Sequence, residues 1–207
     1  MLLRTATIVL GAAALAALPA QAGVVSGNVT GGNAGGSFVE LSPAPGFTVG
    51  NNNQQNPNLN AFDEVQNLTL AADVAGIMAG TRVSSHYVFF DPQPSRSIVG
   101  NVTFDGAILA VITATGDLLA SDALFGRPGV TYLNPAARGL EAGDTFSVAG
   151  NTLGVNWTAS SPGDYIRVLT AAAVPEPGIW AMLLLGFFAT GSALRNSRKQ
   201  RVKLAFS

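Results

Sequence analysis

Along the middle of this chain, apolar residues recur at every second position in short runs separated by turn residues. "VQNLTLAADV" (65–74) sets Val65, Asn67 and Thr69 against Gln66, Leu68 and Leu70. "TRVSSHYVFFD" (81–91) is rich in valine and aromatics and stops at Pro92. "DYIRVLTA" (164–171) places Tyr165, Arg167 and Leu169 on one face and Ile166, Val168 and Thr170 on the other. A period of two is the mark of a strand with one buried face. "SIVGNVTFD" (97–105) and "AILAVITAT" (107–115) meet at Asp105-Gly106, which predicts a hairpin, and "DTFSVAG" (144–150) and "TLGVNWTA" (152–159) meet at Gly150-Asn151, which predicts another. Only "GDLLASDALFG" (116–126) reads as a short helix. Many short strands at this spacing predict an all-β fold, an antiparallel β-sandwich or jelly-roll-like domain over residues 62–172, with a closed barrel as second choice.

The segment before it, 23–61, reads as the loop-rich N-terminal part of the same ectodomain. "GGNAGGS" (31–37) and "GNNNQQNPNLN" (50–60) are turn chemistry, with "FVELS" (38–42) and "GFTVG" (46–50) as short strands between them. No internal repeat is visible, so one domain is expected.

The two ends follow another pattern. "MLLRTATIVLGAAALAALPAQAG" opens with Arg4, continues as an apolar run to about Leu18, and closes on Ala20-Gln21-Ala22. Small residues at Ala20 and Ala22 make a signal-peptidase site, so residues 1–22 are expected to be a helical signal peptide taken by the Sec translocon and cut after Ala22. Near the other end, "GIWAMLLLGFFATGSAL" (178–194) has no charge and no polar face. As a helix it would measure roughly 25 Å, close to the ~30 Å of a bilayer core, so a single transmembrane helix is expected. Trp180 is placed as an interfacial anchor, and Arg195, Arg198, Lys199, Arg201 and Lys203 would hold that end in the cytoplasm.

Charge sharpens the division. Residues 23–174 hold 11 acids against 5 arginines and no lysine, a net charge of −6, which the basic tail hides in an overall −1. An acidic body repels phosphate backbones, so nucleic acid is not an expected partner. Charged residues are only 11% of the chain against about a quarter in ordinary domains, and there are 24 glycines, which fits short strands and turns better than a helical bundle. Cysteine is absent, so disulfides, thiolate nucleophiles and cysteine-held metals are excluded together.

Candidate chemistry in the body is thin. The single histidine, His86, would share a strand face with Ser84, Val88 and Phe90, but no GxSxG motif accompanies it. A structural histidine is the default, and one histidine with scattered carboxylates makes a poor metal site. Asp63 and Glu64 are adjacent, and Asp91, Asp105, Asp117, Asp122, Asp144 and Asp164 are scattered, most beside Gly, Pro or Ser where aspartate caps turns. Four N-x-T triplets begin at Asn28, Asn67, Asn101 and Asn156 and read as incidental strand-edge sequence. Trp157 and Tyr165 could stack on sugars, but Val155 and Trp157 alternate onto one face, which favours the core. No catalytic residue, metal ligand or cofactor is expected.

Between body and tail stands "VPEPG". Pro175 and Pro177 hold an extended, exposed segment suited to a protease cleft. The order Pro175-Glu176-Pro177, Trp180-Ala181-Met182, an apolar run with "GF" and a basic end resembles the PEP-CTERM sorting signal of Gram-negative bacteria. The match covers about 30 residues, 173–203, and its tail "RNSRKQRVKLAFS" is more dilute than a pure arginine cluster. The resemblance implies that Pro175, Glu176, Pro177 and Trp180 are read by an exosortase, a membrane-embedded transpeptidase-like enzyme, and that the protein accompanies exopolysaccharide and biofilm. It thus implies a non-enzymatic exported protein, first anchored in the inner membrane and then released to the periplasm, cell surface or extracellular matrix. The residues leave two other functions open: a carbohydrate-binding module for exopolysaccharide, and a hydrolase using a carboxylate pair.

Overall fold

The computed structural model describes residues 23–133, 135–160, 162–172, 183–192 and 194–195. The signal segment, Pro175, Glu176, Pro177, Trp180, Arg198, Lys199, Arg201 and Lys203 lie outside the described residues.

In chain order the body runs β1 (Val24–Gly32), β2 (Phe38–Glu40), β3 (Thr48–Val49), β4 (Leu59–Asp63), β5 (Leu68–Thr69), β6 (Arg82–Phe90), β7 (Arg96–Phe104), β8 (Ile108–Ile112), α1 (Thr115–Phe125), β9 (Thr131–Tyr132), a 3₁₀ turn at Pro135–Ala137, β10 (Thr145–Ala149), β11 (Thr152–Ala159) and β12 (Asp164–Ala171). One sheet has the order β1-β7-β11-β10, and the other β2-β4-β6-β12-β8 with β5 against the start of β6. Pairing is antiparallel except for two short parallel contacts, β2 with β4 and β3 with β9. The fold is therefore mostly β and sandwich-like, as the period-two pattern predicts.

Two cores form, one on each face of the larger sheet. Between the sheets, Ile98, Val102, Leu153, Val155 and Trp157 meet Val88, Phe90, Ile166 and Val168. On the far face, Phe62, Tyr87, Phe89, Tyr165 and Leu169 pack under Leu118 and Phe125 of α1, with Val49, Leu70 and Ile77 closing the sides. Strands β6 and β12 are thus covered on both faces and carry almost no exposed residue. This second core decides where polar side chains of the central strands can go.

Two expectations are corrected and one is extended. Within 23–61 the short strands expected at 38–42 and 46–50 form as β2 and β3, and two more are added: β1, a nine-residue strand along β7, and β4, which lies beside β6. The glycines of this segment make close contacts as well as turns, since a Cβ on Gly27 would sit 2.3 Å from the Phe38 ring. Next, Asp105-Gly106 is not a hairpin. β7 already has β1 and β11 on its two edges, so β8 crosses to the other sheet and pairs with β12, Val111 opposite Val168. Finally, the alternation over 65–74 yields only Leu68–Thr69: Asn67, just before it, adopts φ 56°, a left-handed conformation that separates it from residues 65–66. The Gly150-Asn151 hairpin forms, with Ala149 opposite Thr152 and Gly150 at φ 64°.

The C-terminal segment belongs to a separate compact unit. Residues 183–192 and 194–195 are helical, with Leu183, Leu184, Leu185, Phe187, Phe188 and Leu194 all exposed. Among the described residues no helix is long and apolar enough to cross a membrane.

Candidate functional site

The largest concentration of chemistry in the body lies in the second core. On β12 the outward-facing set Tyr165, Arg167, Leu169 points to the α1 side, and Arg167 stands opposite Tyr87 of β6. Glu64, one residue past β4, is placed beside them, and α1 brings Asp122 and Ser121. The Arg167 guanidinium holds Glu64 twice, Nε to Oε2 at 2.6 Å and Nη2 to Oε1 at 2.8 Å. It also donates to Asp122 Oδ1 at 3.0 Å and to Ser121 Oγ at 2.6 Å. Asp122 in turn binds Arg138 through both oxygens, at 3.1 and 2.5 Å. Arg138 donates to the Tyr87 hydroxyl at 3.2 Å, and its guanidinium and that of Arg167 lie over the Tyr132 ring at 5.4 and 5.6 Å.

The network is neutral, two carboxylates against two guanidiniums, and only Arg138 Nε among its buried charged-group atoms lacks a partner. Glu64 Oε2 also accepts from Ser85 Oγ at 2.5 Å and Oε1 from the Tyr132 hydroxyl at 2.5 Å. Four donors therefore occupy this carboxylate. Burial works against the charge on Arg167, but the Glu64 carboxylate, its hydrogen bonds and Asp122 outweigh it and raise the pKa. Burial is also the leading reason that Tyr87 and Tyr132 are raised above the ordinary phenol value. The chemistry of such a cluster is fastening: it ties α1 and the loop carrying Arg138 to the sheet.

A second polar line crosses the other face of β6. Asp63 Oδ1 lies 2.7 Å from His86 Nδ1, and His86 Nε2 lies 3.0 Å from Thr170 Oγ1. The tautomer that satisfies all three has Nδ1–H donating to Asp63 and Nε2 accepting the Thr170 hydroxyl. The order acid, imidazole, hydroxyl is that of a nucleophile relay. Here, however, His86 and Thr170 are both fully buried, while the acid end is 30% exposed. The hydroxyl that would attack has no access to substrate. Ser84 packs at 0% exposure and accepts from the Asn67 amide instead.

The remaining acids divide by environment. Asp91 Oδ2 accepts from the amides of Gln54 and Gln55, holding the Asn/Gln loop. Asp105 Oδ1 accepts from Gly23 N, and Asp144 Oδ1 from Thr158 N. Asp117 is exposed in the first turn of α1. Asp164 is 1% exposed, and burial followed by the neighbouring charges of Asp144 and Glu141 pushes its carboxyl up to about 8. Asn28 pairs with Asn101 across β1 and β7, and Asn156 is exposed on β11. Trp157 and Tyr165 are fully buried, and Phe146 is the exposed aromatic among the described residues of the body. A cleft of about 460 Å³ lies between β8, α1 and the Val74-Ala75 turn, with Asp117 and Ser121 among its lining residues. No group of three or more His, Asp or Glu side chains able to hold a metal ion occurs among the described residues.

Turn-capping logic accounts for Asp144, which accepts from Glu141 N three residues away, but not for Asp91 and Asp105, whose amide partners lie 36–37 and 82 residues away, and it misses Glu64, Asp122, Arg138 and Arg167. One signal was present: an arginine in the middle of the core strand "DYIRVLTA", in a body with only five bases, requires a buried acid. The acid's identity was not readable, because Glu64 and Asp122 lie 103 and 45 residues away.

No protein-family model matches this chain, no curated protein matches it, and no solved structure matches it.

Proposed function

We propose that the chain is an exported, non-enzymatic cell-surface or extracellular-matrix protein, sorted by an exosortase through its C-terminal segment and associated with exopolysaccharide and biofilm. One observation carries this reading: Pro175-Glu176-Pro177, Trp180, the uncharged run 178–194 and five cations follow the body in that order. In this reading the run 178–194 spans the inner membrane, the cations from Arg195 to Lys203 stay in the cytoplasm, and the body faces outward. The exposed leucines and phenylalanines of the helical residues 183–192 and 194–195 suit a lipid environment better than water. The body adds support in one respect: in its two most concentrated polar systems, Glu64–Arg167–Asp122–Arg138 and Asp63–His86–Thr170, the charged groups are paired with one another, and Arg167, Glu64, Arg138, His86 and Thr170 are buried.

Mass spectrometry of the mature protein tests the reading. In cells that carry an exosortase, the C-terminus should map near residues 175–177; in cells lacking it, the tail should persist. A C-terminus intact through Ser207 in exosortase-positive cells overturns the sorting role.

A further inference from the structure

The start of β1 is held by two acids from distant parts of the chain. Gly23 N donates to Asp105 Oδ1 at 2.9 Å, and Asp105 N returns a bond to Gly23 O at 3.1 Å. Val24 N donates to Asp63 Oδ1 at 3.0 Å, the same oxygen that His86 Nδ1 contacts at 2.7 Å. His86 and Val24 thus fix the carboxylate through Oδ1. The other oxygen, Oδ2, lies 3.1 Å from the point where a Cβ on Gly23 would stand. Arg127 donates to the backbone oxygen of Asp63 at 2.8 Å. Two carboxylates therefore lie beside one glycine: Asp105 takes its single neutral N–H, and Asp63 takes the next amide while its Oδ2 stands near the glycine's Cβ position.

That glycine is the residue after the Ala20-Gln21-Ala22 cleavage pattern. We infer that Asp105 and Asp63 form a receptor for the amino group of Gly23, released when the chain is cut after Ala22; the inference rests on the export reading proposed above. Hydrolysis adds water across the Ala22–Gly23 amide, leaving a carboxylate on the departing Ala22 and an ammonium on Gly23. The nitrogen changes from one neutral donor to three donors with a positive charge, at a place already supplied with two negative ones. Charge-assisted bonds of this kind are about twice as strong as neutral ones. β1 is an edge strand, and a free strand end is where a sheet frays first. Processing therefore tightens the body at the point where it creates a new terminus. His86 acts as a positioning residue: by holding Oδ1, it leaves Asp63 Oδ2 free beside the glycine. Gly23 itself suits the site, since a side chain there would press on Asp63 at 3.1 Å.

The only lysines are Lys199 and Lys203, so an amine-acylating reagent reports on Gly23 without interference from the body. The experiment takes the full protein recovered from the exported fraction of an expressing bacterium, sequences its N-terminus, and follows acylation by peptide mapping. The expected chain begins at Gly23, and its amine acylates about tenfold more slowly in the folded protein than in urea, the effect of one pK unit of stabilisation of the ammonium. Asp105→Asn should remove most of that protection. If that variant does not fold, Asp63→Asn and the folded-against-urea comparison of the unsubstituted protein still decide. If the protein is found only as an uncleaved chain beginning at Met1 and none appears in the exported fraction, the export reading and this inference fall together; an exported chain that begins elsewhere than Gly23 overturns this inference alone. A chain that begins at Gly23 but acylates equally fast folded and in urea overturns the receptor alone.

Discussion

Arg167 and Glu64 are joined by two hydrogen bonds, 2.6 and 2.8 Å long, with both side chains at 0% exposure. They are 103 residues apart in the chain. Removing one partner of such a pair strands a buried charge, which costs about 3–5 kcal/mol. Arg167→Met should therefore lower the stability of the body by roughly that amount in urea unfolding. Replacing both residues, Glu64→Leu with Arg167→Met, should cost less than Arg167→Met alone. A single substitution costing under about 1 kcal/mol would show that water reaches the site.

Asp164 makes stability fall as pH rises. Its carboxyl sits at about 8 in the fold against an ordinary 3.8. Between those values the folded chain holds a proton that the unfolded chain has lost. The contribution is complete below 3.8 and gone once the pH has passed about 8. The slope in that window is at most about 1.4 kcal/mol per pH unit. Asp91, raised first by burial, adds in the same direction. Urea midpoints of the unsubstituted protein and of Asp164→Asn at pH 5 and pH 8 check this: the variant should lose less stability over that range. Parallel pH profiles would overturn the assignment.

Trp157 fills the space between the two sheets at 0% exposure, and its indole N–H has no hydrogen-bond partner. Its contribution is volume. Trp157→Ala should cost about 3–5 kcal/mol, whereas Trp157→Phe should cost clearly less. Thermal unfolding of the two variants checks this, and an equal loss in both would overturn the volume account.

Gly36 precedes β2 where the backbone passes the Pro57 carbonyl. A Cβ there would lie 2.0 Å from Pro57 O, and neither backbone can yield without disturbing the parallel pair Phe38–Leu59. Gly36→Ala should destabilise the body by about 1–3 kcal/mol. Gly35→Ala is the informative neighbour: nothing lies near its Cβ position, but φ is 69°, so a loss there reports backbone strain. Chemical denaturation of both distinguishes contact from conformation.

Much of the strand content was legible because local rules govern it. β6, β11, β12 and the Gly150-Asn151 turn are encoded by strand-forming composition, alternation and turn chemistry within a few residues of themselves. β1 was not legible, since its glycine and asparagine content reads as loop until the Phe38 ring is seen lying over Gly27. The buried cluster was half legible. Arg167 announces itself by standing in an apolar strand, but its acids are indistinguishable in sequence from aspartates and glutamates at turns.

By itself the sequence determined the order of the parts: an apolar N-terminal run ending in a small-residue pattern, an acidic β-rich body, and a proline-acid-proline segment followed by an apolar run and cations. These are properties of neighbouring residues, and neighbours suffice to define them. Only the tertiary structure decided which strands share a sheet, that Asp105-Gly106 is a corner between sheets, and that Glu64, Asp122, Arg138 and Arg167 neutralise one another in a second core. The reason is physical: pairing partners and counter-charges are chosen by what is left uncovered after the chain collapses, and that depends on every strand at once.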